Sequence, residues 1–201
     1  MPDAALLPAS GGWSRPISKE LAYAYVLLVA CTMSGGVILG LGSFAGRALQ
    51  AGILLDTDIN IVFNVGFQML TWLSLIWSIL HDIIGPRACA IFGISIAAIG
   101  NLTIAVALLN HFTNPYVYAL GYGMIGGGGN GAFITAFHFT ALFESRRALR
   151  VAVLSCAFNV GGYAYLILNS NSIPLSTFFL SYFCYALVIL VGVAFVYPDR
   201  A

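Results

Sequence analysis

The sequence predicts an all-α integral membrane protein with six transmembrane helices. Hydrophobic residues make up 60% of its 201 positions and charged residues only 7%, whereas about 25% of an ordinary soluble domain is charged. The charges divide the chain into uncharged runs, each near the roughly 20 residues that a helix needs to cross a bilayer. These runs are 21–43, 60–80, 88–109, 117–142, 151–169 and 174–197.

The same composition excludes several other classes. Disordered chains are rich in charge and poor in apolar residues, and a formal net charge of +1 argues against a nucleic-acid partner, which would need clustered basic residues. Backbone polar groups must be paired internally in lipid, so the runs predict helices rather than open strands. The four cysteines all lie in or beside the apolar runs without a C-x-x-C pair, so we expect buried thiols and neither a metal nor a cofactor.

The basic residues predict the orientation, because short cytoplasmic loops carry an excess of Lys and Arg. With a cytoplasmic N-terminal segment, 1–20, and a cytoplasmic end, 198–201, only Arg47 lies outside. The inner segments then hold Arg15, Lys19, Arg87, Arg146, Arg147, Arg150 and Arg200. Both termini are therefore expected in the cytoplasm.

The first run offers the best candidate for solute contact. Thr32, Ser34, Gly35 and Gly36 follow one another closely, and such small residues leave room for a solute and expose backbone groups. Glycines further along, in the stretch 36–46, are expected to pack against the glycine-rich fourth run, because glycines four residues apart let helix backbones approach closely.

The remaining runs contribute polar groups that, within a membrane, tend to face the bundle interior or a water-filled cavity. The candidates are Asn64 and Gln68 in the second run, Asn130 and His138 in the fourth, and Asn159 in the fifth. A helix–helix hydrogen bond is the alternative for each of them. No Asp or Glu lies within a run, which favours a neutral or zwitterionic solute and uncoupled transport, and for His138 a core hydrogen bond over a proton relay.

The second and third runs are joined by a segment with a recognisable turn. Gly85 tolerates strained torsions and Pro86 suits the first position of the next helix, so Asp82 and Arg87 are expected at two helix ends on the cytoplasmic face. The alternative is a connector whose charges simply remain in water.

This turn resembles the major facilitator superfamily signature Gly-x-x-x-Asp-Arg/Lys-x-Gly-Arg/Pro-Arg-Arg/Lys. Asp82, Gly85, Pro86 and Arg87 match it in register, whereas Ser78, Ile83 and Ala88 depart from it. The next inner loop has a Glu-x-x-Arg pattern, Glu144 and Arg147. The resemblance implies a cytoplasmic charge network that stabilises an outward-open state, with Glu144 as the partner of Arg87. The alternative for the loop is a basic cluster at anionic headgroups.

The resemblance extends to one branch, the facilitative large-neutral-amino-acid transporters. Its basis is the glycine-rich stretch Ser34–Gly46, the turn at Gly85, the pair Gly128-Gly129, and Phe143 followed by Arg147. It implies a chain that is the N-terminal six-helix half of a twelve-helix carrier, with the first, second, fourth and fifth helices lining the route and an amino acid as solute.

We therefore expect transmembrane transport by alternating access, with the bilayer, a small solute and either a missing C-terminal half or a second copy as partners. The alternative is a structural or assembly subunit that transports nothing. An enzyme is not expected, because no run combines a nucleophile with a base.

Overall fold

The computed structural model describes residues 17–141, 143, 146–169 and 173–198. Over these ranges the chain forms helices and no strands. The α-helices are α1 (Lys19–Met33), α2 (Leu41–Gln50), α3 (Asp56–Ile84), α4 (Pro86–Leu109), α5 (Pro115–Thr140), α6 (Arg147–Val160) and α7 (Leu175–Val196). A first 3₁₀ helix, Gly35–Gly40, lies between α1 and α2, and a second, Gly161–Asn169, continues α6.

Among the described residues, four helical stretches are long and apolar enough to cross a membrane: α3, α4, α7 and the continuous stretch Arg147–Leu168. Together with the stretch Ile38–Gln50, which contains α2, α1 makes a fifth if the two are counted as one bent span. The 26-residue α5 is not among them, and seven of its residues are glycine, which lowers its hydropathy. The fold is thus that of an all-α multi-span membrane protein, with four or five spans by length and hydropathy rather than the six predicted.

The first predicted span is not one continuous helix. The Ser18 hydroxyl accepts a hydrogen bond from the backbone N–H of Leu21 and caps the start of α1. The helix ends at Met33, because Ser34 is extended with φ −69° and ψ 160°. The path bends by 40° across the break. Glycine costs a helix about 1 kcal/mol relative to alanine, so the adjacent Gly35 and Gly36 favour an interruption here.

The fifth predicted span also changes from an α-helix to a 3₁₀ helix, at Gly161. There it lies beside the 3₁₀ helix Gly35–Gly40. A Cβ placed on Gly40 would lie 2.5 Å from the carbonyl oxygen of Gly162, and one on Gly36 would overlap the carbonyl of Phe158. The first and fourth predicted spans do pack closely, but at Gly35, whose added Cβ would lie 2.7 Å from the Gly126 carbonyl oxygen. Gly36 and Gly40 contact the fifth predicted span instead, and Gly42 has nothing within 4 Å of its added Cβ.

The glycine-rich α5 is the central helix. On one side, Gly93 of α4 and Gly128 of α5 approach so closely that a Cβ on either would lie 2.6 Å from the other's carbonyl oxygen. On another side, a Cβ on Gly123 would lie 3.1 Å from Met69 of α3. Close backbone packing, the role predicted for glycines spaced by four residues, is confirmed.

Two buried clusters hold the bundle together. One contains Phe44, Tyr122 and Phe179 near the predicted outer loops, and the other contains Phe139 and Tyr197 near the predicted inner ends. The ring centroids of Phe44 and Phe179 are 5.5 Å apart, and those of Phe139 and Tyr197 are 4.7 Å apart. Asn130 lies along α5 between Ile125 of the first cluster and Ala132 of the second.

Candidate functional site

A groove of about 440 Å³ lies between α3, α5 and α6. We call it the Asn130 groove. It is lined by Phe67, Leu70, Thr71, Ser74, Asn130, Phe133, Phe137, Ser155 and Phe158. A mostly apolar concavity with a few placed polar groups is the usual form of a small-molecule site.

Asn130 is the polar centre of this groove and is only 6% exposed. Its Nδ2 donates to the carbonyl oxygen of Leu70 at 3.2 Å and to the hydroxyl of Ser74. Nothing in the described part of the chain donates to its Oδ1. The two bonds therefore fix the side chain to α3 and leave an acceptor available to a ligand.

Aromatic side chains form the wall opposite α3. The ring centroid of Phe133 lies 4.9 Å from that of Phe158 and 5.0 Å from that of Phe137. Sequence reasoning missed these residues. A helical projection would have found two of them, because positions 130, 133 and 137 share one face of a helix.

Next to the groove, α3 carries a polar stripe along an exposed face. Its members follow one another at intervals of three, four or seven residues and are all exposed: Asn60, Asn64, Gln68, Thr71 and Ser78. The hydroxyls of Thr71 and Ser78 bond back to the carbonyls of Phe67 and Ser74. Free amide groups are costly against lipid, so Asn64 and Gln68 are suited to water or to another protein.

Asn159 lies apart from Asn130, in a second groove of about 590 Å³ beside the two 3₁₀ helices. Its carboxamide is exposed and donates to the Ser155 carbonyl at 3.4 Å. The other lining residues are Leu39, Gly40, Gly42, Ser43, Gly162, Tyr163 and Leu166. The structure thus separates two residues that the sequence grouped together.

The residues between Thr32 and Gly36 contact different helices. Thr32 turns to α7, since its hydroxyl lies 3.1 Å from that of Tyr185 and its carbonyl accepts from Tyr182 at 2.7 Å. Gly35 supports Asn130, because its added Cβ would lie 3.5 Å from the Asn130 Cβ.

Ser34 lies at the break between α1 and the first 3₁₀ helix. Its side chain is fully buried, and its hydroxyl finds no hydrogen-bond partner in the part of the chain that the structure describes. Neither Ser34 nor Gly36 lines the Asn130 groove.

His138 is not in either groove. It lies in the last turn of α5, with its ring centroid 5.9 Å from that of His81 in the last turn of α3. The sequence indicated a polar core residue there and did not indicate a second histidine beside it.

The turn between α3 and α4 has the predicted form. Gly85 has φ 85° and Pro86 is the first residue of α4. The Asp82 side chain is 84% exposed and lies 3.3 Å from the His81 Nδ1. Arg147 starts α6 on the exposed surface. Glu144 lies outside the described residues, so the expected charge network stays a prediction.

The fold and this site define an all-α multi-span membrane protein with a mostly apolar groove that contains one buried carboxamide. No protein-family model matches the chain. The chain is similar to Protein FMP42 of Saccharomyces cerevisiae, at 26% identity over 199 aligned positions that cover 86% of this chain and 39% of that relative. It therefore spans about two fifths of the length of the curated relative that it matches.

Proposed function

We propose that this chain forms half of a membrane carrier that moves a small neutral or zwitterionic solute by alternating access. The observation that carries the proposal is the Asn130 groove beside the exposed polar stripe of α3. A buried carboxamide with an unused acceptor, next to amides that are unsuited to lipid, is expected where a polar route passes through a membrane.

The lining of the groove supports a solute without net charge. It contains phenylalanine, leucine, hydroxyl and carboxamide groups and no Asp, Glu, Lys or Arg. A net charge would lose its hydration there without gaining an opposite charge. The resemblance to facilitator-type transporters narrows the proposed solute to neutral amino acids.

The same resemblance supplies the proposed architecture. The chain would be an N-terminal six-helix half with both termini in the cytoplasm, and a C-terminal half or a second copy would complete the route. The greater length of the yeast relative supports a second half. In this proposal Asp82, Gly85, Arg87, Glu144 and Arg147 form the cytoplasmic network, and the chain needs no cofactor, binds no nucleic acid and catalyses no covalent reaction.

Thiol accessibility tests the proposal directly. Single cysteines are introduced at Gln68 and Thr71 after replacement of the four native cysteines, and a membrane-impermeant maleimide is added to membranes that contain the protein. Both are expected to be labelled, and saturating neutral amino acid is expected to slow labelling at Thr71, which lines the groove.

A cysteine at Val188 is the matched control, because this α7 residue is 69% exposed on an apolar helix and is expected to face lipid. It should remain unlabelled. Protection of all three positions to the same degree would contradict the carrier.

The polar stripe also favours a second candidate, a structural or assembly subunit whose stripe is covered permanently by another membrane protein. In that case Gln68 and Thr71 are protected in native membranes and become labelled only after the complex is dissolved in detergent. Added amino acid would then change neither rate.

A further inference from the structure

Two histidines that are distant in sequence meet where the last turns of α3 and α5 lie side by side. The ring centroids of His81 and His138 are 5.9 Å apart and their planes are inclined by 56°. From these rings we infer that His81 and His138 bind one divalent transition-metal ion of the zinc, nickel and copper type. The inference is independent of the proposed transport function.

The hydrogen bonding of His81 prepares one ligand atom. Its Nδ1 lies 3.3 Å from the Asp82 Oδ1. A carboxylate accepts hydrogen bonds, so in the neutral ring the Nδ1 donates this bond and the Nε2 is left as the acceptor. That Nε2 is buried and has no hydrogen-bond partner among the described residues. A buried acceptor without a donor is unfavourable, and a bound cation would satisfy it.

Asp82 also matches the surroundings of known histidine ligands. A metal-bound histidine usually donates its other ring N–H to a carboxylate or a carbonyl, which orients the ring and raises the basicity of the ligand atom. In this chain Asp82 is the carboxylate, and its exposed side chain places the site within reach of water.

The separation of the rings fits a shared ion. With metal–nitrogen distances of about 2.0–2.1 Å, two imidazoles on one zinc ion have centroids roughly 5–6 Å apart. The two rings also occupy the C-terminal ends of two long helices, where the helix dipoles favour positive charge.

The donor set selects the kind of ion. Imidazole nitrogen suits zinc, nickel and copper, whereas magnesium and calcium prefer oxygen ligands. In the described ranges no three or more His, Cys, Asp or Glu side chains cluster as a metal-binding group. Among the described residues the ligands are therefore the two histidines, and water completes the coordination. The ion would tie the end of α3 to the end of α5.

Zinc titration of the whole purified chain in detergent micelles tests this site, with a fluorescent zinc chelator as competitor. One ion per chain is expected to bind. His81→Ala and His138→Ala should each lower the affinity at least tenfold, and Asp82→Asn by about tenfold, the lower end of the range for such supporting carboxylates.

His111→Ala is the matched control, because the third histidine of the chain is exposed in the loop after α4. It should bind zinc like the unchanged protein. Absence of saturable binding to the unchanged chain, or equal affinities for His138→Ala and His111→Ala, would overturn the inference.

A spectroscopic measurement covers the case in which a histidine variant folds poorly. Bound Cu²⁺ in the unchanged chain should show two coordinated imidazole nitrogens by electron paramagnetic resonance, whereas a spectrum with one or none would overturn the inference. Neither measurement needs a transported solute, so failure here leaves the carrier proposal untouched, and failure of the labelling experiment leaves the metal site untouched.

Discussion

The indole Nε1 of Trp77 donates a hydrogen bond to the carbonyl oxygen of Gly127 at 2.6 Å and so connects α3 to α5. The same ring covers Gly131, one turn further along, where an added Cβ would lie 2.8 Å from the indole Cδ2. Trp77 fits because Gly131 lacks a side chain. The contact holds the two helices in the alignment that puts Ser74 beside Asn130 and His81 beside His138.

Gly131→Ala is expected to destabilise the protein. The new Cβ meets a rigid ring, and overpacking of this kind costs about 1–3 kcal/mol. Thermal unfolding in detergent measures the effect. Gly42→Ala in α2 is the control, because nothing lies within 4 Å of its added Cβ and alanine favours a helix by about 1 kcal/mol. Equal unfolding temperatures for the two variants would contradict the packing role of Gly131.

Asn130→Ala is expected to abolish solute binding and to lower stability. The change removes the two hydrogen bonds that Asn130 donates, to the Leu70 carbonyl and to the Ser74 hydroxyl, and a typical hydrogen bond contributes about 0.5–1.5 kcal/mol. Thermal shift with a panel of neutral amino acids measures both effects.

Asn110→Ala serves as the control for this change, since Asn110 is exposed and, among the described residues, its side chain bonds only to the Val106 carbonyl at the end of its own helix. It should keep the solute-induced shift. A shift that persists in Asn130→Ala at the same amino acid concentrations would remove Asn130 from the site.

Thr32→Val is expected to weaken the contact of α1 with α7 without affecting solute binding. The Thr32 hydroxyl lies 3.1 Å from that of Tyr185, and a typical hydrogen bond contributes about 0.5–1.5 kcal/mol. Thr32→Val, Tyr185→Phe and the double variant form a cycle, and their unfolding temperatures should be non-additive because the residues are in contact. Additive effects, or a loss of solute binding in Thr32→Val alone, would argue for a role in the route.

Gly85→Ala is expected to strain the turn between α3 and α4. Gly85 has φ 85° and ψ 168°, a combination that is essentially restricted to glycine and costs other residues about 1–3 kcal/mol. Pro86→Ala is the comparison, since it loses only the preset torsion at the start of α4 and should cost less than about 1 kcal/mol. Thermal unfolding distinguishes them, and a larger effect of Pro86→Ala would contradict the assigned torsion.

The class of fold was predictable from the positions of a few charges. A backbone in lipid must pair its polar groups within its own segment, so the long uncharged runs indicate helices regardless of what packs against them. The turn at Gly85 and Pro86 was predictable for a similar reason, because glycine and proline restrict or permit torsions locally. The number of spans was harder to predict from the sequence. The glycines of α5 lower its hydropathy, and the same glycines let it pack at the centre of the bundle.

The candidate site was predictable only as a set of residue types. Asn130 could be singled out because a carboxamide in an apolar run is expected to face the bundle interior or a cavity. Its partners Leu70 and Ser74 could not, because they lie about sixty positions away. The sequence placed Asn159 with Asn130, and the fold assigned them to different grooves.

The sequence by itself determined that this protein is a helical membrane protein with few charges, because burial in lipid acts on each segment separately. The tertiary structure alone decided that Gly36 packs against the Phe158 carbonyl, that the Thr32 hydroxyl lies beside that of Tyr185, and that His138 lies beside His81. Each of these depends on the surface of a distant segment, and a contact between distant segments leaves no periodic signal in either one.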